Sequence, residues 1–191
     1  MTINVYENCP ELQNDRFLMR LVEEKDCEGL LKVYSDQKAR RFLDSDNCSG
    51  GFHFGTLEHM REVIRAWRAA YEQRSFVRWS IIDQETCEAV GTVELFHRDA
   101  RDAFDNTGLL RIDLHSDYER FEPLRSILSL ITEHAYHLFE CAAIVTKAIP
   151  EAEQRICALK GMGFEQSSDA LIGHDGTAYS FYWTRRSDRE D

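Results

Sequence analysis

Three side chains able to exchange a proton lie on or beside two strand-like stretches: Glu94 on one, Asp113 and His115 on a later one. The two acids lie in stretches of strand-like alternation, and His115 follows Asp113 at a strand end. Imidazole ordinarily titrates near neutrality, so this trio has the residue types for general acid–base work. Both acids also read as solvated strand residues, and His115 as a surface or hydrogen-bonding histidine. His134 and His137 share a helix face at i, i+3 but have no third ligand nearby, so no metal site is expected. Cys9, Cys27, Cys48, Cys87, Cys141 and Cys157 contain no C-x-x-C pair and read as reduced thiols filling small apolar gaps. Phe52, His53 and Phe54, flanked by glycines, read as a loop over a cleft or as two tucked-in rings.

Positioning these groups requires a specific order of elements. Residues 1–14 are polar, lack a period and are expected to form a loosely docked arm. Phe17, Met19 and Leu21 alternate with Leu18, Arg20 and Val22, which predicts a strand. Cys27, Leu30, Leu31 and Tyr34 then form a helical stripe, followed by a short helix around Ala39, Phe42 and Leu43. Residues 44–55, rich in serine and glycine (Ser49, Gly50 and Gly51 among them), read as a loop. Thr56 is the expected cap of a longer helix carrying Leu57, Met60, Ile64, Trp67 and Tyr71.

Residues 77–82 and 89–96 form a predicted hairpin, with Gly91 marking a bulge or a close approach. Residues 97–106 read as a charged loop, and 107–115 as a strand with Leu110, Ile112 and Leu114 on one face. Pro123 is placed at the first helical position, opening a helix that runs to Phe139. Residues 142–148 form the next strand. A helix beginning at Pro150 and carrying Ile156, Cys157 and Leu159 ends at Gly161 or Gly163. A hairpin from 164–171 and 178–184 closes the chain. The reading is one α/β domain over 15–185, with a disordered tail at 186–191.

The 191 residues are 43% hydrophobic and 30% charged, with a net charge of −11, which excludes a disordered acidic chain. No apolar run approaches the ~20 residues of a membrane helix. The N-terminus lacks the apolar run of a signal peptide, so a cytoplasmic location is expected. No basic stretch suits nucleic acid. The acidic balance suits a cationic partner, such as a small-molecule amine or a basic peptide, and a homodimer is left open.

Three local patterns carry a resemblance. They are the hairpin ending Val90-Gly91-Thr92, the strand, loop and long helix over 110–139, and the helix closing on Gly163-Phe164 before a strand. Their order resembles the GNAT acetyltransferase superfamily, most closely its ribosomal-protein N-terminal acetyltransferase branch. The resemblance implies a mixed, mostly antiparallel sheet with flanking helices. It also implies acetyl-CoA held between two splayed parallel strands, here 110–115 and 142–148. Amine acetylation would then draw on Glu94, Asp113 or His115 as base. The segment Phe52, His53 and Phe54 would shape the acceptor pocket. Leu114, His115, Arg120, Phe121, Leu124 and Arg125 would meet the cofactor.

The family's phosphate loop reads R/Q-x-x-G-x-G/A, so that backbone N–H groups can cradle pyrophosphate. Here it reads Glu119-Arg120-Phe121-Glu122-Pro123-Leu124. Two carboxylates, a missing N–H and two side chains in place of glycine all oppose phosphate, by about 1 kcal/mol or more per charge. Two readings follow: an N-acetyltransferase with an atypical acetyl-CoA site, or a GNAT-derived binding domain that has lost acetyl-CoA.

Overall fold

The computed structural model describes residues 4–48 and 52–187. Its strands are β1 (Leu12–Gln13), β2 (Phe17–Leu21), β3 (Val77–Asp83), β4 (Glu88–Arg98), β5 (Thr107–Leu114), β6 (Ala143–Lys147), β7 (Glu165–Gln166), β8 (Leu171–Ile172), β9 (Ala178–Tyr179) and β10 (Tyr182–Arg186). The helices are α1 (Cys27–Ser35), α2 (Leu57–Glu72), α3 (Phe121–Leu138) and α4 (Glu153–Gly161). Eight strands form one mixed sheet in the order β1-β2-β3-β4-β5-β6-β10-β7. Every pair in it is antiparallel except β5 with β6.

The parallel pair holds only from Thr107 to Leu110 against Ala143 to Thr146. Beyond Leu110 the two strands part, and β5 continues to Leu114. Alternation along β5 sends Leu110, Ile112 and Leu114 into the core shared with Ile127, Leu128 and Ile131 of α3. The opposite face of β3 is covered by α1 and α2, through Leu30, Tyr34, Met60, Ile64 and Trp67.

Local chemistry sets the element ends. Thr56 caps α2 as a plain N-cap, its hydroxyl accepting from the His59 N–H at 3.2 Å. Gly91 meets both expectations for it. The β3–β4 register slips between Ile81 and Ile82, leaving Val90 bulged. A Cβ on Gly91 would also lie 2.3 Å from the Asp113 carbonyl oxygen.

Several expectations need correction. The short helix is a single 3-10 turn at Arg40–Phe42. Pro123 is the third residue of α3, not the first; it is still tolerated because the opening N–H groups of a helix lack intrahelical partners. Cys157 is exposed, and Arg155 takes its place among the buried residues of α4. The last hairpin divides: β7 pairs with β10, while β8 and β9 form a separate ribbon near the turn. The described part of the arm is docked, not loose. Val5 and Leu12 are buried, and the Pro10 carbonyl accepts from the Trp79 indole N–H at 3.0 Å. Arg186 lies in β10; residues 1–3, the loop's Ser49, Gly50 and Gly51, and 188–191 of the expected tail lie outside the described residues.

Candidate active site

At one rung, three neighbouring strands each place a charged residue on the α1/α2 face, in register. Arg78 of β3 pairs with Glu94 of β4, and Glu94 with Arg111 of β5. Glu94 gives one carboxylate oxygen to Arg78 and the other to Arg111 at 2.7 Å. Burial alone would raise the Glu94 pKa, but the two guanidinium groups outweigh it and hold the group below its ordinary range. Glu94 therefore stays ionised with both oxygens occupied, which leaves it a poor proton acceptor.

The next rung is Ser80, Thr92 and Asp113. The Tyr34 hydroxyl of α1 donates to Asp113 at 2.9 Å and lies 2.8 Å from the Thr92 hydroxyl. Arg78 donates to Thr92 at 3.0 Å and stacks 4.1 Å from the Trp67 ring. The expectation of solvated strand acids fails: Glu94 and Asp113 are 2% and 1% exposed. An isolated strand pattern cannot show the arginines that neighbouring strands supply.

The turn after the 3-10 segment crosses the place where β5 and β6 part. The Asp46 carboxylate takes Lys147 of β6 and, at 3.1 Å, the Tyr182 hydroxyl of β10, while its carbonyl accepts from Arg111 at 2.7 Å. The Asp44 N–H donates to Asp113 at 3.3 Å. One Asp44 carboxylate oxygen accepts from the Asp46 N–H at 3.1 Å. The other faces Arg111 Nε at 3.6 Å, without a hydrogen bond among the described residues. Burial pushes the Asp44 pKa up to about 6 against the pull of Arg111, with Asp46 adding to the rise. Sequence reading missed both acids, because Asp44-Ser45-Asp46 looks like any polar turn.

Cavities lie on both sides of this turn. One of about 790 Å³ is walled by Phe52, Phe54, Trp67, Phe76 and Phe96, with Arg78, Glu94 and Arg111 at its polar side. Phe52 and Phe54 thus sit where the sequence suggested, while His53 is exposed and outside the lining. The other, of about 420 Å³, opens between the end of β5 and the start of α4, over Lys38, Arg41, Ser116, Glu119 and Arg155. A chamber of about 110 Å³ continues inward from Arg41, Phe42 and Arg155 to Asp44, Asp46 and Lys147.

The expected cofactor residues are mostly turned away from this mouth. Leu114 and Leu124 are fully buried in the core, and Arg120 and Arg125 are exposed outside the lining. The Phe121 N–H donates to Gln154 at 3.1 Å. His115 N–H donates to the Val90 carbonyl, and its ring rests beside Asp36 and Asp117 at 3.5 Å each.

The N–H groups of Glu119 and Arg120 donate to Ser116 and Tyr118 carbonyls, and that of Ser116 to Asp36 at 2.9 Å. Burial would raise the Asp36 pKa, but hydrogen bonds from Ser116, Lys38 and Ala39 hold it at about 2, so that amide stays taken. A backbone cradle for pyrophosphate is therefore not offered here. The side-chain cations available to a phosphate are Lys38, Arg41 and Arg155, which line the mouth beside Asp117, Glu119, Glu151 and Glu153.

A family model for an acetyltransferase (GNAT) domain matches residues 16–165. The uncharacterized N-acetyltransferase YoaA of Bacillus subtilis (strain 168) is 25% identical over 84 residues. That match spans 44% of each chain, less than half the length of this curated relative. The ribosomal-protein-S5-alanine acetyltransferase of Vibrio fischeri shares the fold, with a TM-score of 0.67 at 16% identity over 94% of this chain and 97% of that one. The spermidine N-acetyltransferase of Vibrio cholerae, solved with CoA and spermine, gives 0.62 at 10% identity over 91% and 96%. The sheet parts between its one parallel pair, cavities open on both sides of the parting, and the family match spans most of the domain: the chain belongs to the GNAT acetyltransferase family.

Proposed function

We propose that this chain transfers an acetyl group from acetyl-CoA to a primary amine carried on an apolar body. The observation that carries this reading is the placement of Asp44. It lines the inner chamber on the donor side, and Arg111, 3.6 Å from it, lines the large cavity on the other. A carboxyl group there can take the proton an ammonium must lose before its nitrogen attacks. Glu94 and Asp113 hold Arg111 and Asp44 in place, as positioning residues. When bound, acetyl-CoA supplies the activated thioester carbonyl, and Lys38, Arg41 and Arg155 are the groups able to hold its phosphates.

The structural neighbours are named for amine acceptors, a ribosomal protein and spermidine. The large cavity favours an apolar amine over a polyamine or a basic peptide. Among the described residues its only carboxylate is Glu94, already claimed by two arginines. The test is acetyl-CoA-dependent thiol release with phenethylamine, an apolar N-terminal peptide and spermidine. Release with the first two supports the reading. No release from any, with no binding of acetyl-CoA, favours the second reading, a binding domain without transfer, to which the N–H groups already taken at Glu119, Arg120 and Phe121 point.

A further inference from the structure

We infer that Arg155 is the phosphate-binding cation of the donor mouth, and that Glu119 is an internal ligand competing with phosphate for it. This rests on the acetyl-CoA reading above. Arg155 sits in the first turn of α4 and Glu119 in the connection from β5 to α3, so their pair spans the parting of the sheet. The guanidinium meets both Glu119 oxygens, Nε at 3.3 Å and Nη2 on the other, and its side chain is 4% exposed. Its remaining nitrogen reaches only the Phe42 carbonyl, at 3.4 Å.

A guanidinium fork receives two oxygens of a carboxylate or of a phosphate with the same geometry. Glu119 therefore occupies Arg155 as a phosphate would. The mouth offers nothing equivalent. The N–H groups of Ser116, Glu119, Arg120 and Phe121 already donate within the protein, and Lys38 and Arg41 are exposed, without an ion pair among the described residues. Lys38, Arg41 and Arg155 face four carboxylates in the lining: Asp117, Glu119, Glu151 and Glu153. A phosphate that displaces Glu119 gains a buried cation, and neutralising Glu119 removes both the competitor and one repelling charge.

Calorimetry with acetyl-CoA tests this on the wild type, Glu119→Gln, Arg155→Met and the double variant, with urea midpoints confirming that each folds. Arg155→Met alone leaves Glu119 buried and unpaired; the double variant avoids that defect. Glu119→Gln should bind about tenfold or more tighter than wild type, and the double variant should lose that gain. Acetyl-pantetheine, which lacks the phosphates, should bind all four alike. If the double variant binds acetyl-CoA as tightly as Glu119→Gln, or Glu119→Gln matches a wild type that binds, the assignment of Arg155 is wrong while the acetyl-CoA reading stands. If no variant binds acetyl-CoA at millimolar concentration, both fall.

Discussion

At Asp44 the fold stores a carboxyl group that prefers its proton. Its pKa of about 6 lies above the ordinary value of about 3.9, so the folded state holds more protons than the unfolded chain between those values. Stability from this group is therefore present below about pH 4 and lost as pH rises through about 6, by up to about 3 kcal/mol. Asp44→Asn removes the titration while its amide oxygen still faces the Asp46 N–H. Relative to wild type, the variant should gain stability between about pH 4 and pH 7, read from urea midpoints. An unchanged difference across that window would mean the group titrates normally. If Asp44 also takes the amine proton, the acid limb of kcat/KM near pH 6 vanishes in the variant and the rate falls by about a hundredfold or more. A retained limb would move the base elsewhere.

Among the elements, the close approach of neighbours decides the site's shape. A Cβ on Gly29 of α1 would lie 2.4 Å from the Ala89 carbonyl oxygen of β4. One on Gly91 would meet the Asp113 carbonyl, on the residue that receives the Tyr34 hydroxyl and the Asp44 N–H. Backbone atoms cannot swing aside, so Gly91→Ala should cost about 3 kcal/mol in urea unfolding and disturb Asp113. A loss below about 0.5 kcal/mol would show that the β4–β5 ladder gives way easily.

These elements were largely legible, because strand alternation, the Thr56 cap and the Gly163-Phe164 ending are local signals. The ladder of Arg78, Glu94 and Arg111 was not. Each residue alone looks like the solvent side of a strand, and only cross-strand register joins them into a buried unit. The mouth was hidden for the same reason: the loop alone sets Glu119 against phosphate, and only the fold brings Arg155, far along the chain, against it.

For the whole molecule, two electrostatic scales compete over the acceptor. The net charge of −11 draws any cation toward the surface, and spermidine, with several charges, gains most. That attraction fades within a Debye length of about 8 Å at physiological salt. Inside the large cavity the local balance differs: two arginines flank Glu94, and Phe52, Phe54, Trp67, Phe76 and Phe96 dominate the apolar wall. A polyamine would shed its hydration there without gaining a free carboxylate, whereas phenethylamine would bury its ring against Trp67 and Phe54. Phenethylamine should therefore exceed spermidine in kcat/KM by about tenfold or more at physiological salt, and the ratio should widen as salt rises. Trp67→Ala should lower kcat/KM for phenethylamine while leaving calorimetric binding of acetyl-CoA unchanged, because Trp67 lies outside the donor mouth. Preference for spermidine at every salt concentration would mean that amines are selected by the outer acidic field and that the aromatic cavity serves another ligand.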